Sequence, residues 1–215
     1  MSIDDGAPAE QFDSLAQQQH ANLLGMWAFL VTELLLFGGY LALFCIEWIR
    51  HSEGFSAAAG HLDLTLAAFN TAVLFTSGLT MALAESAVEA GRRGLSLGLV
   101  LATMALGAGF LGIKGIEWYH EYQQGLVPLP GLGFDYAGED SISAEFFFNF
   151  YFGLTGLHAA HMIIGLGLLT VLAIQLGRWR DPGRLGRQGR VIGLYWAFVD
   201  VVWIFLFTAL YLLRS

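Results

Sequence analysis

The sequence predicts an all-α, polytopic membrane protein built as a bundle of five transmembrane helices. The chain of 215 residues is 56% hydrophobic and only 13% charged, whereas soluble domains contain about 25% charged residues. Its mean hydropathy is +0.59. It also contains five apolar runs, each long enough to cross a ~30 Å hydrocarbon core as a helix, which takes about 20 residues.

The five runs occupy most of the chain and leave no room for a separate soluble domain. Their predicted limits are residues 23–46, 64–88, 95–117, 145–176 and 190–213. We therefore treat residues 23–215 as one transmembrane domain. Residues 1–22 carry acidic but no Lys or Arg side chains, unlike a signal peptide, which begins with a basic segment. These residues are expected to stay on the chain as a cytoplasmic tail.

The arginine residues predict the orientation of the bundle. Two connections, between spans two and three and between spans four and five, lie on the same side as the N-terminus. They contain Arg92, Arg93, Arg178, Arg180, Arg184, Arg187 and Arg190. The opposite side has Arg50 and Arg214 beside an acidic connection. Because basic loops stay in the cytoplasm, the N-terminus is predicted to be cytoplasmic and the C-terminus periplasmic. The basic cluster is short and adjoins a membrane helix, so no nucleic-acid partner is expected.

Two carboxyl groups fall near the middle of apolar spans. Glu33 lies roughly halfway along the first span, and Asp200 lies about ten residues into the fifth. A carboxylate at the centre of a membrane helix costs ~2.5–3.5 kcal/mol on insertion scales, so both should face protein, headgroups or water. Hydroxyl, Trp or His donors on neighbouring helices are the expected partners of Asp200. Carboxyl groups at this depth are candidates for proton-related roles.

His158 and His161 are three residues apart in the fourth span and are expected to share a helix face. A metal site would require further ligands from other helices. The other histidines lie outside the spans or at their ends, and the single cysteine, Cys45, has no CxxC spacing. We therefore favour hydrogen bonds to backbone, carboxylate or lipid phosphate, and predict neither a metal site nor a catalytic residue.

The third span ends in the segment KGIEWYHEY. Lys114 and Glu117 are three apart and are expected to pair. Glu117 and His120 have the Glu-x-x-His spacing that di-iron four-helix proteins use. The spacing occurs beside aromatic residues typical of a membrane interface, so an ion pair and a solvent-exposed histidine at headgroup level are favoured.

Other features of the spans predict helix packing. The third span contains the small residues of a close-packing seam, which are Gly98, Gly107, Gly109, Gly112 and Gly115. Asn70 and Thr71 in the second span are expected to form hydrogen bonds across helices.

Three segments, in this order, resemble subunit III of the haem–copper cytochrome c oxidases: GMWAFLVTELLLFGG, FYFGLTGLHAAHMIIGLG and YWAFVDVVWIFLF. The resemblance covers essentially the whole bundle, and GIKGIEWYHEYQQGLVP is similar to the family's third-span exit. Long members of the family have seven helices, so this chain is similar to the short, five-helix bacterial form. By motif, Glu33 matches a buried glutamate known for carbodiimide reactivity. His158 and His161 match the paired histidines, and Asp200 matches the aspartate of the last span. Ala197 departs from the family, which usually has histidine there.

The resemblance implies a non-catalytic subunit of a proton-pumping terminal oxidase in the bacterial inner membrane, which oxidises cytochrome c and reduces O2 to water. It implies that haem and copper lie in partner subunits and that this chain binds phospholipid. The main implied partner is subunit I, with subunit II and small accessory subunits. The implied proton-related residues are Glu33 and Asp200. The implied lipid-contacting or structural polar residues are His158, His161, Asn70, Trp27 and Trp203.

Three alternatives remain open on the sequence. The same fold would serve a quinol oxidase or a nitric oxide reductase, because the electron donor binds other subunits. An independent transporter or proton channel, with Glu33 and Asp200 lining its path, belongs to another class. Against it, no proline interrupts a span, and inverted repeats are not evident. A di-metal membrane enzyme would use Glu117, His120, His158 and His161.

Overall fold

The computed structural model describes residues 15–128, 133–138, 140–178 and 182–213, and its elements are helical. They are α1 (Leu15–Arg50), α2 (Ser52–Ala59), α3 (Leu64–Glu89), α4 (Arg93–Gln123), α5 (Ser141–Arg178) and α6 (Pro182–Phe207), followed by a π-helical turn (Thr208–Leu212). Five helices, all except α2, are long and apolar enough to cross a membrane. The predicted fold class is confirmed. The orientation of the termini stays a prediction.

Four helices begin earlier than their predicted spans, and the difference is largest, at eight residues, for α1 and α6. Helix α1 begins at Leu15 rather than at residue 23. The polar residues 15–22 (LAQQQHAN) are mostly strong helix formers, so the helix continues beyond the apolar run. Helix α6 begins at Pro182 rather than at residue 190, and proline is favoured in the first turn of a helix. Residues 1–14 of the predicted tail lie outside the described residues.

Glycine residues in the left-handed conformation end α3 and α4. Gly91 has φ of 70° and Gly125 has φ of 74°. This conformation lets the next backbone N–H turn back to the helix, which satisfies a carbonyl that would otherwise lack a partner. The N–H of Leu126 accordingly donates to the carbonyl of Glu121 at 3.0 Å, and that of Arg92 to the carbonyl of Ala87 at 2.8 Å.

Helices α3, α4, α5 and α6 pack together, with α3 against α4 and α6, and α5 against α4 and α6. Arg93 at the start of α4 donates from Nε to the carbonyl of Leu176 at 2.9 Å, and from Nη2 to the carbonyl of Gly177, so it joins the start of α4 to the end of α5. Helix α1 packs against α2, α5 and α6. Its outer surface remains apolar and exposed, as at Leu24 and Leu35.

The fully buried Trp196 on α6 lies between two glycines of neighbouring helices. A Cβ atom at Gly107 on α4 would lie 2.8 Å from the indole ring, and one at Gly165 on α5 would lie 2.9 Å from it. Only a residue without a side chain leaves room for the ring at both positions. Gly107 is therefore a packing glycine, as the third-span pattern predicts. Gly98, Gly109, Gly112 and Gly115 instead have no such neighbour within 4 Å of a Cβ position.

Candidate functional site

Glu33 and His161, on α1 and α5, form a hydrogen-bonded pair. Glu33 Oε2 lies 3.0 Å from His161 Nε2. The other ring nitrogen, Nδ1, lies 2.8 Å from the carbonyl oxygen of Leu157. The Phe37 ring lies against the imidazole, with 5.2 Å between ring centroids. The hydroxyl of Tyr195 donates to the carbonyl of His161 at 3.0 Å, which adds α6 to the site. The predicted carboxyl group of the first span therefore has a partner inside the bundle.

The hydrogen-bond geometry leaves two possible arrangements of the protons on Glu33 and His161. A carbonyl oxygen only accepts hydrogen bonds, so His161 Nδ1 carries a hydrogen for Leu157. Nε2 then either accepts the carboxyl proton of Glu33 or donates its own hydrogen to the carboxylate. In both forms a single proton lies between the two groups and the pair has no net charge. A neutral pair of this kind avoids the large penalty of an isolated charge in an apolar medium.

Asp200 lies on α6, 8% exposed. Its Oδ2 occupies the space that a side chain at Gly78 on α3 would need. Its Oδ1 has no hydrogen-bond partner among the described residues. The expected Trp and hydroxyl donors are nearby on α6 and α3 but bond to each other: Trp196 donates to Ser77 Oγ at 2.9 Å. The prediction of a donor for Asp200 is therefore wrong for Oδ1 within the described residues, because the N–H of Trp196 is already engaged by a hydroxyl group of α3.

The two histidines of the fourth span do not form one site. His158 is completely buried and packs against the Phe110 and Trp203 rings, with centroids 5.6 and 5.0 Å away. Neither of its ring nitrogens has a partner in the described part of the chain. His161 faces α1 instead. At a spacing of three residues the two side chains point about 60° apart, so they share a broad helix face, as predicted, but contact different neighbouring helices.

The remaining predicted polar residues differ in their surroundings. Asn70 Nδ2 donates to the carbonyl of Phe110 on α4 at 3.2 Å. Trp203 Nε1 on α6 donates to Thr71 Oγ1 on α3 at 2.9 Å. Both bonds cross between helices, as expected. Trp27 is 57% exposed on the outer surface of α1.

The pair predicted at the end of the third span is present but buried. Lys114 Nζ lies 2.9 Å from Glu117 Oε2, and both residues are 2% exposed. Tyrosines of α5 and of the π-helical turn cover the pair, while its level relative to the lipid headgroups stays a prediction. His120 is exposed, as predicted. Glu117 and His120 therefore do not face one site, and no group of three potential metal ligands occurs within the described ranges.

The tyrosines that cover this pair were missed by sequence reasoning. Tyr151 and Tyr211 both donate to Glu117 Oε1. They lie 34 and 94 residues away along the chain, and aromatic residues near span ends are usually assigned to the membrane interface. The only local signal was the spacing of Lys114 and Glu117.

Comparisons with known proteins agree with this architecture. A family model described as cytochrome c oxidase subunit III matches residues 13–215. Similar proteins include the cytochrome c oxidase subunit 3 of Alkalihalophilus pseudofirmus, 33% identical over 88% of this chain and 85% of the relative. The quinol oxidase subunit 3 of Bacillus subtilis is 32% identical over 89% and 87%. The cytochrome bo(3) ubiquinol oxidase subunit 3 of Pseudomonas aeruginosa is 27% identical over 90% and 85%. The chain thus belongs to the cytochrome c oxidase subunit III family, as a non-catalytic, multi-pass subunit of a haem–copper oxidase complex in the bacterial inner membrane.

Proposed function

We propose that this chain stabilises subunit I of an O2-reducing, proton-pumping terminal oxidase, binds phospholipid on its apolar flank and supports proton uptake. The Glu33–His161 pair carries the proton-related part of the proposal. It is a neutral, proton-sharing pair, and the side chains keep 15% and 10% of their surface exposed. The pair is therefore not completely enclosed by the bundle.

The exposed face of α4 supports contact with subunit I. Gly98, Ala105, Gly109 and Gly112 lie on one face of this helix by their helical spacing. All four are exposed. Membrane helices associate through small residues that let backbones approach, whereas lipid-facing surfaces tolerate large apolar side chains. The outer surface of α1 exposes large apolar side chains, such as Leu24 and Leu35, and we assign this surface to phospholipid.

Haem and copper are assigned to partner subunits in this proposal, because the histidines of this chain do not fit them. His158 is enclosed by aromatic rings, and His161 is engaged at both ring nitrogens. No group of three potential metal ligands lies around either imidazole within the described ranges, and a haem iron or copper ion needs a fuller ligand set.

The electron donor divides the proposal into two candidates. The resemblance in the sequence favours cytochrome c. The names of similar proteins in Bacillus subtilis and Pseudomonas aeruginosa favour a quinol. Oxygen consumption by the purified complex with reduced cytochrome c and with a short-chain quinol separates the two. Oxidation of quinol alone would overturn the cytochrome c candidate, and oxidation of cytochrome c alone would overturn the quinol candidate.

Purification tests the partner assignment. A tagged chain extracted in mild detergent should co-elute with a larger haem-containing membrane subunit, and the reduced-minus-oxidised spectrum should contain haem bands. A colourless chain that elutes alone from native membranes would contradict the proposed role. For the proton-related assignment, an apolar carbodiimide should label the wild-type chain at Glu33. Labelling that persists at the same strength in Glu33→Gln would remove Glu33 from the proposal.

A further inference from the structure

The end of α4 contains a buried ionisable cluster that the proposed function does not use. Glu117 accepts three hydrogen bonds. Lys114 Nζ lies 2.9 Å from its Oε2, Tyr151 donates to its Oε1 at 2.8 Å, and Tyr211 also donates to Oε1. Each of these residues is at most 2% exposed. We refer to these four residues together with Glu121 as the Glu117 cluster.

The contacts around Glu117 define its charge. Every group that forms a hydrogen bond with its carboxyl oxygens is an ammonium or hydroxyl donor. Glu117 therefore acts purely as a hydrogen-bond acceptor, which is the role of a carboxylate. Lys114 also donates to the Tyr211 hydroxyl at 2.5 Å, and its Nζ lies 4.9 Å from the centre of the Trp203 ring. An ammonium on Lys114 therefore balances the carboxylate of Glu117. This balance leaves no further positive charge among the residues of the Glu117 cluster for a second carboxylate.

Glu121 is that second carboxyl group, one turn further along α4. It is 3% exposed, and its Oε2 has no hydrogen-bond partner within the described residues. It interacts electrostatically with Lys114, Glu117 and Tyr211. It also lies in the last turn of α4, which ends at Gln123, where the helix dipole disfavours a negative charge.

The geometry thus contains two carboxyl groups and one ammonium, all of them at most 3% exposed. A carboxylate on Glu121 would leave one uncompensated negative charge there, and buried groups in this situation bind a proton instead. We propose that Glu121 Oε2 is a proton-binding site, at which the Glu117 cluster holds one exchangeable proton. The reaction forms one O–H bond from the carboxylate and a proton from solvent, and breaks no bond within the protein.

Two features support exchange at this position. The neighbours His120 and Tyr122 are exposed, so the site is close to the protein surface although its carboxyl group is covered. Tyr211, which contributes a hydroxyl to the cluster, lies in the π-helical turn after α6. Such turns frequently occur at functional sites.

Infrared spectroscopy of the purified oxidase complex tests the proposal. At pH 7 the wild type should have a protonated-carboxyl C=O band that shifts in D2O and is lost in Glu121→Gln. Glu89→Gln is the matched control, because Glu89 is exposed and pairs with Arg190 at 2.8 Å near the other end of the bundle. This control should keep the band. Identical carboxyl bands in the wild type and Glu121→Gln would overturn the proposal.

Two further measurements keep the test decisive. If Glu121→Gln does not assemble, Glu121→Asp retains a carboxyl group in the same cluster, and the band should move rather than disappear. A band that does not move in Glu121→Asp would overturn the assignment. Loss of the wild-type band on addition of Na+ or K+ would identify the ligand as a metal cation and would also overturn it.

Discussion

Glu33 Oε2 and His161 Nε2 lie 3.0 Å apart, and this bond joins the middle of α1 to α5. Helix α1 is the most exposed of the spanning helices, since only 17% of its most apolar stretch is buried. The pair therefore supplies a polar contact to a helix that otherwise packs through a narrow apolar stripe. Two residues that the sequence assigned to different roles, one proton-related and one lipid-contacting or structural, belong to the same site.

Removing one member of the pair should destabilise the chain more than removing both. His161→Leu leaves the Glu33 carboxyl without its partner, and an unsatisfied buried group costs about 1–3 kcal/mol. The double substitution Glu33→Leu with His161→Leu removes both polar groups and should recover much of that loss. The midpoint of thermal unfolding, measured by circular dichroism in detergent, compares the variants. His120→Leu, at an exposed position, is the control. Strictly additive effects of the two single substitutions would contradict a direct coupling.

The two glycines beside Trp196 should not tolerate a methyl group. Gly107→Ala and Gly165→Ala each place a Cβ within 3 Å of a fully buried ring. Overpacking of this kind costs about 1–3 kcal/mol. Gly109→Ala is the matched control. It lies two residues further along α4, a Cβ atom there has no neighbour within 4 Å, and the substitution should not be destabilising. The thermal midpoint reports the difference. Equal midpoints for Gly107→Ala and Gly109→Ala would show that the ring moves without cost.

Hydrophobic runs were sufficient to predict the five helices, because a membrane helix must satisfy its backbone groups internally and needs about 20 apolar residues. The ends were predicted less well. Residues 15–22 and 182–189 are not apolar enough to extend a hydrophobic run, so hydropathy places the ends of both helices too late. Helix α2 is too short to give a membrane signal.

The polar sites were predicted residue by residue but not by their contacts. Hydropathy identifies Glu33 and His161 as unusual, yet their pairing depends on how α1 rotates against α5, over a separation of 128 residues. The Lys114–Glu117 pair was predictable because both residues lie on one helix at a spacing of three. Its tyrosine cover was not, since it comes from two other helical segments.

Asp140 should make the start of α5 sensitive to acid. It lies outside the spanning helices, and its Oδ1 accepts the backbone N–H of Ser143 at 3.0 Å. Hydrogen bonds from the side chain and backbone of Ser143 hold the pKa of Asp140 below its ordinary value of 3.8, with a smaller contribution from His51. A lowered pKa in the folded state means that the stabilisation is complete above 3.8 and is lost as the pH falls through the folded value.

The corresponding variant is Asp140→Ala, which should lower the thermal midpoint at pH 7. The difference from wild type should shrink in acid, below the ordinary carboxyl value, because protonation then removes the same interaction from the wild type. Ser141→Ala, at the exposed neighbouring position, serves as the control. A difference that stays constant from neutral to acid pH would mean that the carboxylate charge does not contribute.

The exposed small residues of α4 should be required for assembly of the oxidase complex. Gly109→Leu adds a bulky side chain to a face with open space in the isolated chain, so it should leave the fold of this chain intact. If a helix of subunit I packs against this face, the leucine prevents close approach of the two backbones. The expected result is loss of the haem-containing subunit from the purified tagged chain, measured by haem absorbance per chain.

Gly38→Leu is the matched control, since Gly38 on α1 is equally open. It should retain the partner, because this flank is assigned to lipid. Retention of haem in Gly109→Leu and its loss in Gly38→Leu would move the docking face from α4 to α1.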